Sequence, residues 1–251
     1  MITTYHRPQS LEQALTLIAR PHPRTLPLGG GTLLSHQTPN AIEVVDLQSL
    51  GLDQIKKSGN NLEIGATATL QQLLESPHCS EALQIPLKLE TPLNIRNAAT
   101  TAGTLVVADG RSTFAAALLA LDARLIIQPD SQEVLIGNFL PLRESILNGK
   151  LITGIVISGI VKLAFEYVSR TPMDKPIVCV ALGQWPSGRT RLVVGGYGLS
   201  PILAMDGTES EGLETAARNA LQEAGDEWAG AEYRQDVAVI LARRCLEKIN
   251  L

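Results

Sequence analysis

The chain has 251 residues, 45% of them hydrophobic and 18% charged, with a formal net charge of −4. That balance belongs to a folded protein, and the length suits one large domain or two to three smaller units. Mild acidity, no basic run and an aromatic content of 4% exclude the electrostatic footprint and the stacking platforms of a nucleic-acid binder.

In chain order, Met1 to His6 is neither a charged nor an apolar leader, so no signal peptide is expected. Ser10-Leu11-Glu12-Gln13 reads as a capping-box start, and Leu11, Ala14, Leu15 and Ile18 repeat at helical spacing. This predicts a helix over 11–19, ended by Pro21 and Pro23. A strand over 24–28 then enters Gly29-Gly30-Gly31, and a second strand is expected over 41–47. Glycines in succession allow positive φ and let backbone N–H groups converge on an anion; a tight turn is the alternative.

Asn60-Asn61 marks a turn before a strand over 62–65, and Thr69 to Gln72 repeats the capping logic. From Asn94 to Leu105 a second loop is expected, with small residues over 98–104. The Ala/Leu run 113–122 predicts a buried helix. A hairpin over 124–136 turns at Pro129-Asp130, and 151–157 is a further strand. The longest uncharged apolar run, 151–161, is too short to span a membrane. Beyond residue 160 come strand-like runs at 162–169, 176–185 and 189–196, then helix-like runs at 209–224 and 231–249. Strands first and helices after predict an α+β unit with an antiparallel sheet.

Cys79, Cys179 and Cys245 make no CxxC pair and no metal-ligand spacing. They read as reduced structural thiols of a cytoplasmic protein, and no metal site is expected. His6, His22, His36 and His78 are equally scattered, and no catalytic residue is assigned.

In these landmarks the chain resembles the FAD-binding subunit of molybdenum hydroxylases, such as the medium subunit of carbon monoxide dehydrogenase and the flavin domain of xanthine dehydrogenase. Gly29 to Leu34 resembles its first pyrophosphate loop, and Arg96-Asn97 with Thr100 and Gly103 its second. Val45-Asp46-Leu47, Ile64-Gly65-Ala66, Ala117 to Ala123, Ser169-Arg170 with Ile177-Val178, and Ala231 to Arg234 follow in the family's order. The resemblance implies two N-terminal α/β subdomains, over 1–56 and 57–160, that together bind FAD, and a C-terminal α+β domain over 161–251. It implies cofactor contacts from Leu28, Gly29, Gly30, Gly31, Thr32, Leu33 and Leu34, and from Thr100, Gly103 and Thr104. Thr113 is expected on the sugar side and Ile152 against the ring system. It also implies an iron–sulfur partner subunit and a molybdenum-cofactor partner subunit, with electrons passing from the clusters to the flavin and on to an acceptor.

Several positions depart from the family pattern. Leu33 replaces a polar residue, Ala99 and Ala102 replace glycines, Thr104 an asparagine and Thr113 an aspartate. Alanine is strained where φ must be positive, and its methyl would intrude on a phosphate. Glu166 falls where some relatives carry a lysine beside the flavin, as an exposed strand residue or as an anion at the ring. The rival expectation is a paralogue that keeps the fold and docking role without the flavin. A nucleotide-binding module unrelated to flavins would fit the glycine loop alone.

Overall fold

A computed structural model describes residues 1–34, 40–172 and 174–250. The first unit is β1 (Ile2–His6), α1 (Leu11–Ile18), β2 (Thr25–Leu28) and β3 (Ile42–Asp46). Its sheet is parallel in the order β1-β3-β2. Ser10 caps α1 by accepting the Gln13 N–H at 3.2 Å. Ala14 and Ile18 then face Val45 and Leu47 in a small apolar cluster. No strand is expected at the N-terminus from the sequence, because the side chains of β1 are largely exposed and carry no apolar alternation.

The second unit runs β4 (Ile55–Ser58), β5 (Asn61–Gly65), α2 (Leu70–Glu75), α3 (Glu81–Glu90), α4 (Leu93–Arg96), α5 (Thr101–Val106), α6 (Thr113–Ala120), β6 (Arg124–Gln128), β7 (Gln132–Leu135), α7 (Ile136–Ile146) and β8 (Leu151–Ser158). Its sheet is antiparallel in the order β4-β5-β8-β6-β7. The expected break between residues 56 and 57 falls inside β4. Thr69 and Gln72 complete the anticipated capping box of α2. The Ala/Leu run forms α6, with every residue buried.

The third unit is β9 (Lys162–Val168), β10 (Val178–Gln184), β11 (Thr190–Gly195), β12 (Ile202–Gly207), α8 (Leu213–Asn219) and α9 (Ala231–Asn250). Its antiparallel sheet has the order β12-β11-β10-β9. One face packs on α6 and the other on α8 and α9. Small residues let α6 come close: a Cβ on Gly183 of β10 would lie 2.2 Å from Ala120 O. On α9, Arg234, Ala238, Leu241, Ala242, Cys245 and Ile249 form the buried stripe. The expected helix over 209–224 is shorter, because Gly212 in the left-handed region (φ 79°) precedes its first turn. The fold is therefore α+β, with an antiparallel C-terminal sheet.

Hydrogen bonds tie the second and third units together around 108–111. Gly110 N–H donates to Gly198 O at 2.8 Å, and Gly196 N–H donates to Gly110 O at 2.6 Å. Arg111 donates to Lys175 O and Pro176 O, and Arg143 to Ala108 O and Leu199 O.

Candidate cofactor site

β2 delivers the chain directly into Gly29, and the sheet edge points this loop at the segment between α4 and α5. The approach is close. A Cβ on Gly29 would lie 2.7 Å from Thr100 Oγ1, and one on Gly30 would lie 1.5 Å from Ala98 O. Only glycine fits at Gly30, because the obstacle is backbone. Gly31 adopts φ 68°, the left-handed region. Among the described residues, the N–H groups of Gly30, Thr32, Leu33 and Leu34 have no acceptor. Gly30 and Leu33 are exposed, and Leu28, Gly29, Gly31, Thr32 and Leu34 partly so. Unclaimed amides around a left-handed glycine are the kind of backbone that can accept an anion.

The second loop differs from expectation. Small residues over 101–106 form helix α5 rather than a loop, because Thr100 caps it. The Thr100 hydroxyl accepts the Gly103 N–H at 3.2 Å, and Thr104 Oγ1 donates to Thr100 O at 2.8 Å. Thr101 N–H donates to Ala68 O and Ala102 N–H to Ala66 O. The first-turn amides of α5 are therefore spent within the protein. Gly103 remains exposed, and Val106 and Val107 extend its outward face. Their spacing from Gly103, i+3 and i+4, is the sequence signal for this shared face. Arg96 is also spent: its Nε donates to Gln71 Oε1 at 2.7 Å and its Nη1 to Lys88 O and Thr91 O.

Two expected contacts lie elsewhere. Thr113 is fully buried at the start of α6, donating to Pro86 O at 2.7 Å and lying 3.3 Å from Glu90 Oε2. Ile152 is 3% exposed inside the main apolar cluster, paired across the sheet with Ile127. Both side chains are enclosed by the protein's own packing.

Most departures from the family pattern also leave the site. Ala99 and Ala102 are buried in the main apolar cluster, and neither has a positive φ. The backbone strain expected of an alanine at positive φ is therefore absent at both positions. Glu166 sits on the face of β9 that meets α9, where it pairs with Lys248. Its charge is turned toward that helix, so it is not the exposed strand residue expected. Leu33 stays in the loop, 55% exposed.

All three cysteines are free, and no group of His, Cys, Asp and Glu among the described residues is arranged to hold a metal. His6 Nε2 lies 2.8 Å from Glu43 Oε2, in a structural pair between β1 and β3. His36 lies outside the described residues. No helix among the described residues is long and apolar enough to cross a membrane.

The chain thus joins a parallel glycine-loop unit, an antiparallel second unit and a C-terminal sheet capped by helices. The model of the FAD binding domain in molybdopterin dehydrogenase matches residues 1–157, and the chain belongs to that family. It is an FAD-binding subunit of the molybdenum-hydroxylase type, an oxidoreductase subunit whose cofactor is FAD. The chain is 28% identical to the 6-hydroxypseudooxynicotine dehydrogenase complex subunit alpha of Paenarthrobacter nicotinovorans, over 95% of this chain and 91% of that one. It is 26% identical to the uncharacterized protein YgfM of Escherichia coli (strain K12), over 96% and 94%. Reconstituted CO dehydrogenase from Oligotropha carboxidovorans contains a chain with the same fold, at a TM-score of 0.80 and 25% identity, over 97% of this chain and 96% of that one.

Proposed function

We propose that this chain is the electron-relay subunit of a multi-subunit molybdenum-dependent dehydrogenase. It takes electrons from iron–sulfur clusters on one partner, themselves fed by a molybdenum-cofactor partner, and passes them to an external acceptor. The unclaimed amides of Gly30, Thr32, Leu33 and Leu34 carry this reading. They would hold the diphosphate of FAD by N–H donation, with no lysine or arginine in the loop. Leu28 and Gly29 set the loop against Thr100, whose hydroxyl, with the exposed backbone of Gly103, borders the opposite side. Thr104 holds the start of α5 in place. FAD, when bound, supplies the redox chemistry, and the chain positions it and limits access to it. No side chain here needs to act as general acid or base.

A heteromeric assembly is supported by the name of the Paenarthrobacter relative, which is a complex subunit. Three free cysteines, two of them buried, suit a reducing cytoplasm. The experiment is to isolate the chain with its partners, add the complex's reducing substrate and follow the flavin absorbance near the clusters' own bleaching. Loss of flavin absorbance after cluster reduction supports the relay. Flavin that stays oxidised beside reduced clusters contradicts it.

A further inference from the structure

A cavity of about 290 Å³ opens between α7 and the β11–β12 edge of the C-terminal sheet, away from the glycine loop. Arg191 and Asp122 line it together with apolar Leu119, Leu140 and Leu203. Arg191 is 4% exposed. Its Nη1 lies 2.8 Å from Asp122 Oδ1 and 3.0 Å from Asp206 Oδ2, yet its buried Nε–H has no partner among the described residues. A buried donor left unmade is costly, so it calls for an acceptor.

The opposite wall is the start of α7, an eleven-residue helix. Its N-cap is Leu135, which offers no side-chain acceptor. The Ile136 N–H goes to Ala123 O at 2.9 Å, and no side chain caps the amides that follow. Gly137 and Asn138 both line the cavity. The two walls meet: a Cβ on Gly137 would lie 3.8 Å from Arg191 Nη2. Arg189 bridges Asp122 and Asp206 at 3.0 and 2.8 Å, so two carboxylates are matched by two guanidinium groups. The positive end of the helix dipole is then the uncompensated field.

We infer that this cavity binds a small oxyanion group, carboxylate or phosphate, between the first turn of α7 and Arg191. The leucine walls leave room for a short apolar body behind it. The site is separate from the FAD loops, and its occupancy does not depend on flavin.

The test is a titration of the full chain with inorganic phosphate and, separately, with butyrate, followed by the amide resonances of Gly137 and Asn138. Saturable shifts of both amides are expected, at concentrations on the order of 10 mM or below. Butyrate alone binding marks an organic acid, phosphate alone a phosphate group, and both the shared oxyanion chemistry. Arg191→Lys keeps the charge but removes the Nε donor, and should weaken binding about tenfold. Leu203→Trp, at a half-exposed strand position, should fill the cavity and abolish binding in a chain that still folds. No shift with either probe overturns the inference, and so does unchanged binding in the Leu203→Trp chain. FAD uptake measured on the same samples should be unaltered, which separates failure here from failure of the flavin reading.

Discussion

Gly30 and Ala98 are in backbone contact: a single methyl added to Gly30 would lie 1.5 Å from the Ala98 carbonyl oxygen. The first loop therefore rests on the segment that leads into α5. Gly30→Ala must push the two segments apart, costing about 1–3 kcal/mol as an overpacked contact. FAD affinity should fall at least about tenfold, read by flavin titration. Among the described residues a Cβ on Gly31 would meet only Leu28 Cδ1, at 3.5 Å, so the positive φ is the main cost of Gly31→Ala, about 1–2 kcal/mol.

Restoring the family's glycines at Ala99 and Ala102 should not strengthen FAD binding. Both side chains are buried in the main cluster, and Ala102 lies within α5. The double change Ala99→Gly plus Ala102→Gly should lower stability by about 1 kcal/mol or more, from helix propensity and lost burial. Chemical denaturation and a flavin titration on the same preparation check both halves. A gain in affinity would show that these methyls do crowd the cofactor.

Much of this layout was legible in the chain, and the failures have physical causes. Ser10, Thr69 and the buried Ala/Leu run announced α1, α2 and α6 because capping and propensity are local. Helices α3 and α7 were not read, since each carries a proline in its sixth position, Pro86 and Pro141. Tertiary packing overrode that local signal. The region 98–104 looked like a loop because small residues permit one. Thr100 caps α5 locally, but the bonds that satisfy its first two amides, from Thr101 to Ala68 and from Ala102 to Ala66, link positions far apart in sequence. The direction of Glu166 depends on strand phase, where an error of one residue reverses the face.

Glu90 should prove a structural carboxylate. It is 6% exposed and accepts from Ser112 Oγ at 2.9 Å and from Phe114 N–H at 2.9 Å, at the N-terminus of α6. Glu90→Ala leaves those donors buried without an acceptor and should cost about 3 kcal/mol. Glu90→Gln keeps an acceptor oxygen and should cost less. Urea denaturation of the two variants checks the order.

Acid should loosen the C-terminal unit through Asp226. Partial burial raises its carboxyl pKa, but the Trp228 and Ala229 N–H groups and Arg234 outweigh that and hold it below the ordinary 3.8. A depressed folded pKa contributes stability in full above the unfolded value, lost as pH falls through the folded one. Asp226→Asn should therefore flatten the decline in stability below about pH 4. Denaturation midpoints measured at neutral and acid pH, for the natural chain and the variant, decide this.

The thiols should be inert in the folded protein. Burial pushes Cys179 up to about 12, with the Glu90 charge adding to it, and pushes Cys79 up to about 11. Burial also raises Cys245. At mildly alkaline pH little thiolate exists, so a thiol reagent should modify half-buried Cys79 first and all three cysteines only in denaturant. Rapid native labelling of Cys179 or Cys245 would contradict this placement.

The most direct measurement is the visible absorption spectrum of the purified chain before and after adding FAD and removing the excess. A flavin spectrum that stays with the protein, and is lost in Gly30→Ala, is the predicted result. Protein that remains colourless after FAD addition, or a Gly30→Ala chain that retains flavin equally well, would contradict a cofactor held by the amides of this loop.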